Sequence, residues 1–255
     1  MRTRPAPGQG ARWRAVVFDM DGVVVDSELQ WQLAEGALLR RHAPRWREQD
    51  HHLIVGLGVE DLYHFLVRKY SLTSDKAAFL KDCHQLAELI YKRRVRLAPG
   101  FRELSAQLRR LRLPAALASS SPRGWVELVL RRFGLRSCFR AIACADDVPA
   151  GRTKPAPDLY RLALRRLGLS NGRDCLAVED STLGARAAKA AGLACAGLRN
   201  GSNDSQDLSA CDFEIRSLRE LTAPKETAAA SAPAGRRRRR ASPQAGLERR
   251  GRRGA

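Results

Sequence analysis

The chain has 255 residues, 44% of them hydrophobic, and a formal charge of +19. That length and apolar content allow one large or two small domains with a substantial core, and exclude a wholly disordered chain. No segment approaches the roughly 18 consecutive apolar residues of a membrane span, and the basic N-terminus lacks a signal-peptide core, so a cytoplasmic protein is expected.

The charge invites a nucleic-acid reading, but its distribution matters more than its sum. Of 46 cationic residues only seven are lysine. Such a bias suits a GC-rich coding sequence and weakens any functional reading of arginine content. The six cysteines (Cys83, Cys138, Cys144, Cys175, Cys195 and Cys211) form no C-x-x-C pair. They read as small buried residues in a reducing compartment.

In chain order, residues 1–12 carry Pro5, Pro7, Gly8 and Gly10 and read as a loose leader. A first strand is expected at Arg14 to Phe18. From Ser27 to about Leu97 the apolar spacing becomes helical, through Leu29 and Leu33, then Leu62, Phe65 and Tyr70, then Ala77 to Val95. This reads as an all-helical insertion over residues 27–95.

Pro99-Gly100 marks a boundary, after which strands and helices alternate. Strands are expected at Ala115 to Ala118, Ala141 to Ala145, Cys175 to Val178 and Leu193 to Ala196. Helices are expected at Phe101 to Leu111, Trp125 to Phe133, Leu159 to Leu167 and Leu183 to Ala191. Repeated β-α units imply an α/β core, residues 13–26 and 96–222, with a Rossmann-like parallel sheet whose ligands bind at the strands' carboxyl ends. Beyond Leu221 the composition turns to Ala, Pro, Ser, Gly and Arg, so residues 223–255 are expected to be disordered.

The residues following each strand therefore carry the functional signal. Strand one ends in Asp19-Met20-Asp21-Gly22. Two carboxylates one residue apart can act as ligand or nucleophile and as proton carrier, although an isolated Asp-x-Asp-Gly is equally a surface turn. The next strand runs into Ser119-Ser120-Ser121-Pro122-Arg123, hydroxyls and backbone N–H groups that suit either a phosphate oxygen or a plain helix cap. Arg123 is placed to reach a phosphate or simply to be solvated.

Lys154 is one of the few lysines and precedes a proline-opened helix. A compact point charge is the natural use of lysine in an arginine-rich chain. The last informative strand ends in Glu179-Asp180-Ser181, adjacent carboxylates that either hold a divalent cation or cap a helix. Each signal alone is moderate. Four in this order, each at a strand's carboxyl end, are strong.

With these motifs the chain resembles the haloacid dehalogenase superfamily, specifically its β-phosphoglucomutase-like phosphatase branch with a helical cap, over residues 13 to 221. The resemblance implies Asp19 as nucleophile, Asp21 as general acid/base and Ser119, beside Ser120, at the phosphoryl group. It implies Lys154 as the neutralising cation, and Mg2+ held by Asp19, Asp180 and Glu179 with the Asp21 backbone carbonyl. The expected reaction is hydrolysis of a small phosphomonoester such as a sugar phosphate through an aspartyl-phosphate intermediate, by a monomer.

A phosphosugar mutase is the alternative within the family. In mutases of this branch a cap histidine lies ten residues beyond the second motif aspartate, where this chain has Trp31, and a Lys and an Arg flank a glycine motif. The nearest local match, Val55-Gly56-Leu57-Gly58-Val59, keeps Gly56 and puts valines at the cationic places. Hydrolysis is therefore favoured. Trp31 either packs in the cap's own core or offers the leaving group a stacking surface, and Gly56 either lets a cap loop approach the substrate or makes a plain turn. His51, His52, His64 and His84 read as surface or core residues.

An alternative of another class makes the protein an interaction module, with Arg236 to Arg240 and Arg249 to Arg253 on nucleic acid or another anionic surface. No aromatic residue follows Phe213, so such a tail has no base-stacking platform. A solvated tail without a selected partner is the simpler expectation.

Overall fold

A computed structural model describes residues 13–222. The leader (1–12) and the Arg-rich tail (223–255), on which the expectations of looseness and disorder fall, lie outside the described residues.

Six strands form one parallel sheet: β1 Ala15–Phe18, β2 Ala115–Ala118, β3 Ala141–Ala143, β4 Cys175–Glu179, β5 Ala194–Leu198 and β6 Phe213–Ile215. Their spatial order is β3-β2-β1-β4-β5-β6. β1 is thus central, with Val17 beside Ala116 on one flank and Ala177 on the other. The order reverses between β1 and β4, and a crevice opens at the carboxyl ends where the order of an α/β sheet switches.

Among the described residues seven α-helices accompany the sheet. α1 Glu28–His42, α2 Val59–Tyr70 and α3 Lys76–Leu89 lie within the inserted segment, and α4 Phe101–Arg110, α5 Arg123–Phe133, α6 Asp158–Arg166 and α7 Thr182–Ala190 follow it. The expected helices and β1 to β5 are present within a few residues. β6 was not expected, being three residues long with only Ile215 buried.

Strand alternation sorts the core by size. Val16, Phe18, Leu117, Ile142, Leu176 and Val178 join the larger cluster, which includes residues of the inserted helices such as Leu39, Leu66 and Tyr91. Ala15, Val17, Ala116, Ala118, Ala177 and Cys195 face the other way, against Tyr160 and Ala163 of α6 and Ala187 and Ala188 of α7. Small side chains on that face allow close packing of short helices.

Two local departures position functional groups. Ser27 precedes α1 yet makes no side-chain cap, because its hydroxyl donates to Asp21 Oδ1 at 2.7 Å. Asp75, by contrast, accepts from Ala77 and Ala78 N–H and caps α3 in the usual manner. α3 then ends in a π-helical turn, Ile90–Arg94, a distortion often found at functional sites. That turn carries the fully buried Tyr91.

Candidate active site

The strand ends converge on one crevice. Asp19 and Asp21 after β1, Ser120 and Ser121 after β2, and Asp180 after β4 line it, whereas the buried Ser119 and Glu179 do not. Lys154 arrives from the segment between β3 and α6.

Lys154 is 2% exposed, deep enough that its charge must be paired. Its Nζ lies 2.5 Å from Asp19 Oδ1 and 2.5 Å from Glu179 Oε1. Burial works against the ammonium, but the Asp19 and Glu179 carboxylates together hold its pKa above the ordinary lysine value. Tyr160 also donates to Glu179 Oε1, at 2.5 Å.

Asp180 is fixed from two sides. Asn200 Nδ2 donates to its Oδ2 at 2.8 Å and to the Gly22 carbonyl at 3.0 Å. Asn203 donates to its backbone carbonyl at 2.7 Å. Two glycines make room for these acids. A Cβ on Gly22, whose φ is +73°, would fall 1.8 Å from Asp180 Oδ2, and one on Gly184 would fall 2.0 Å from Glu179 Oε2.

Asp19, Glu179 and Asp180 are all buried, and each can offer an oxygen to a group lying within 4.8 Å of one another. One ammonium leaves these carboxylates short of positive charge. Burial, opposed by Lys154 and reinforced by Glu179 and Asp21, pushes the Asp19 carboxyl up to about 8. Burial, then Glu28 and Asp19, raises Asp180 as well. A dry, crowded, all-oxygen donor set of this kind fits a hard divalent cation.

The Asp21 carboxylate belongs to a different network. Its Oδ1 accepts from Ser27 Oγ at 2.7 Å and Tyr91 Oη at 2.7 Å, and its Oδ2 from Ser121 Oγ at 2.8 Å. With the carboxylate taken up by these hydroxyls, the Asp21 group that the resemblance implies for a metal is its backbone carbonyl. Burial and the Asp21 charge raise the Tyr91 phenol well above its usual pKa, so it remains a proton donor to the carboxylate.

Several expected contacts can now be placed. Ser119 is buried, and its Oγ accepts from the Ser121 N–H at 3.1 Å. Ser120 lines the crevice, and its buried Oγ has no protein partner, which leaves it available to a ligand oxygen. Trp31 also lines the crevice. It stacks on Trp125 with centroids 5.4 Å apart and donates through Nε1 to Tyr91 Oη at 3.2 Å. Gly56 lies in the same wall with φ +84°, and a Cβ there would sit 2.8 Å from Ser181 Oγ. The close approach of this loop to the core is thus what demands glycine.

Two expectations are corrected. Arg123 does not line the crevice: its guanidinium pairs with Asp147 at 2.5 Å and its N–H donates to Asp146 at 2.6 Å. Asp147 follows β3 and claims the cation before a ligand could. His51, read from sequence as a surface or core residue, lines the crevice with its Nε2 2.6 Å from Glu35 Oε1.

Sequence reasoning also missed Ser27, Tyr91 and Ser121 around Asp21, Tyr160 on Glu179, and the acids Glu28 and Glu35 in the crevice wall. Asn200 follows β5 in the way the other site residues follow their strands, so inspection of one more strand end would have found it. Tyr91 carries no comparable signal.

Family comparison agrees with this architecture: residues 13–192 match the haloacid dehalogenase-like hydrolase model, and the chain belongs to that family. Within it the chain is an enzyme of the phosphoric monoester hydrolase class. It is 32% identical over 180 residues, 69% of this chain and 78% of the relative, to a probable pseudouridine-5'-phosphatase of Drosophila melanogaster. It is 32% identical over 215 residues, 82% of this chain and 94% of the relative, to hexitol phosphatase B of Escherichia coli K12. Among solved structures, that of CbbY from Rhodobacter sphaeroides in complex with phosphate superposes with a TM-score of 0.70 at 27% identity, covering 83% of this chain and 97% of that one.

Proposed function

We propose that this protein is a magnesium-dependent phosphatase of small phosphomonoesters, sugar phosphates among them, that works through an aspartyl-phosphate on Asp19. The observation that carries the reading is the pairing of two differently dressed carboxylates. Asp19 lies against Lys154 at 2.5 Å, whereas Asp21 is held by three hydroxyls and no cation. The first environment suits a nucleophile beside a phosphoryl group, and the second suits a carboxyl that exchanges a proton.

In the first half-reaction an Asp19 oxygen attacks phosphorus in line while the bond to the ester oxygen breaks, and Asp21 gives its proton to that oxygen. In the second, Asp21 takes a proton from water as the water attacks phosphorus. Inorganic phosphate leaves and the Asp19 carboxylate is regenerated. Lys154, Ser119 and Ser120 provide the charge and hydrogen bonds that equatorial phosphoryl oxygens require. A Mg2+ ion held by Asp19, Glu179, Asp180 and the Asp21 carbonyl would supply the further positive charge that a dianionic phosphate needs to approach a carboxylate.

Residues 27–95 act in this reading as a cap over the strand ends. The likeness to the pseudouridine and hexitol phosphatases supports phosphorylated sugars and sugar-like compounds as the substrate class. A mutase must grip a second phosphate, but Lys154 is the only lysine or arginine lining the crevice among the described residues, and it is already engaged by Asp19 and Glu179. Val55 and Val59 line the wall instead. All six cysteines are free, in keeping with action in the reducing cytoplasm. No helix among the described residues is long and apolar enough to cross a membrane.

The test is phosphate release from a panel of phosphometabolites with Mg2+ and with EDTA. Including β-glucose 1-phosphate with glucose 1,6-bisphosphate tests the mutase alternative. Magnesium-dependent release from sugar phosphates is expected, without interconversion of glucose phosphates.

A further inference from the structure

For a site that receives an anion the crevice has an unusual lining. Its walls are largely apolar, with Trp31, Leu39, Ile54 and Leu57 among them, and besides Asp19, Asp21, Asp180 and Lys154 its charged groups are Glu28, Glu35 and His51. Glu35 is 8% exposed. Its Oε1 lies 2.6 Å from His51 Nε2, but out of line, so this buried oxygen makes no hydrogen bond within the protein. A buried acceptor left open at the wall of a cavity is costly unless a ligand satisfies it.

Resting on the phosphatase reading above, we propose that Glu35, steadied by His51, accepts a hydrogen bond from the leaving group and so selects its chemical class. The preferred substrates are phosphomonoesters whose alcohol half carries hydroxyl or ammonium donors and no second anionic group. No lysine or arginine besides Lys154 lines the crevice among the described residues to offset Glu35. A carboxylate or second phosphate on the leaving group would meet like charge in an apolar surround, where repulsion is poorly screened. A hydroxyl satisfies Glu35 by a charge-assisted hydrogen bond, and an ammonium adds charge pairing to it. Trp31, stacked on Trp125, gives the carbon face of such a group an aromatic surface.

The test compares kcat/KM for sorbitol 6-phosphate, glucosamine 6-phosphate, 6-phosphogluconate and fructose 1,6-bisphosphate in the wild-type enzyme, with p-nitrophenyl phosphate reporting the chemistry itself. The polyol and the amino sugar should exceed both anionic substrates by on the order of tenfold or more, the worth of a hydrogen bond to a charged group. Glu35→Gln should lower the glucosamine-to-sorbitol ratio, because the amide still accepts a hydrogen bond but no longer pairs with an ammonium. The proposal is overturned if either anionic substrate matches the polyol in the wild type, or if Glu35→Gln leaves that ratio unchanged. The wild-type comparison stands whether or not the variant folds. Absence of turnover even of p-nitrophenyl phosphate would instead sink the phosphatase reading on which this one rests.

Discussion

Tyr91 Oη donates to Asp21 Oδ1 at 2.7 Å, joining groups seventy residues apart in the sequence. Tyr91 stands on the π-helical turn that ends α3 and itself accepts from Trp31 Nε1 at 3.2 Å. The proposed acid/base is therefore oriented by the helical stretch between β1 and β2 as well as by Ser121, which follows β2. Tyr91→Phe keeps the ring's packing and removes only the hydroxyl. It should lower kcat about tenfold, since a hydrogen bond to a charged group is worth about 1.5–3 kcal/mol, and change KM little. An unchanged thermal unfolding midpoint beside the lowered kcat would separate the hydroxyl's role from a loss of packing.

Asn200 tests the proposed metal site without touching its ligands. Its amide fixes Asp180 Oδ2 and the Gly22 carbonyl, and loss of such an outer partner costs about 10–100-fold in metal affinity. Asn200→Ala should raise the Mg2+ concentration giving half-maximal activity by about that factor, with activity largely recovered at saturating Mg2+. EDTA should abolish wild-type turnover, and added Mg2+ should restore it.

Two glycine substitutions should act in opposite directions. In Gly184→Ala the new Cβ would sit 2.0 Å from the fully buried Glu179 carboxylate. Overpacking of this kind costs about 1–3 kcal/mol, and displacing Glu179 should also remove activity. Gly124 is exposed in α5 and has nothing within 4 Å of its Cβ position. Gly124→Ala should stabilise by up to about 1 kcal/mol and leave activity intact. Denaturant titration of both variants checks the sign.

Asp147 provides a structural pH dependence away from the chemistry. Burial opposes its ionisation, but hydrogen bonds from Arg166 and the Cys144 N–H prevail and hold its carboxyl well below the usual carboxylate value. A depressed native pKa contributes stability that is fully present above the unfolded value of about 3.9 and is lost as pH falls below it. Asp147→Asn should therefore be clearly less stable than wild type at pH 7, with the gap narrowing below about pH 4. Thermal unfolding of both proteins at pH 7 and pH 3.5 measures the difference.

Much of the sheet was legible because its strands are short apolar runs ending in polar residues. Val16-Val17-Phe18 before Asp19, and Leu176-Ala177-Val178 before Glu179, declare both a buried strand and the place where ligands meet its end. β6 escaped because three residues with one buried side chain leave no periodic signal. The partners of the site escaped for a different reason. Tyr91 and Glu35 reach Asp21 and the crevice through tertiary packing alone, and a tyrosine or glutamate within a helical stretch looks the same whether it faces solvent or the site, whereas Asn200, just past β5, did carry a strand-end signal. Arg123 shows the converse: its position after Ser119 pointed to phosphate, but Asp147 lies nearer.

The assignment of Asp19 as nucleophile is tested most directly by steady-state phosphate release from a sugar phosphate in saturating Mg2+, comparing purified wild type with Asp19→Asn. The account predicts that the variant, folded and binding phosphate, releases none above background. Near-wild-type release by Asp19→Asn would contradict it.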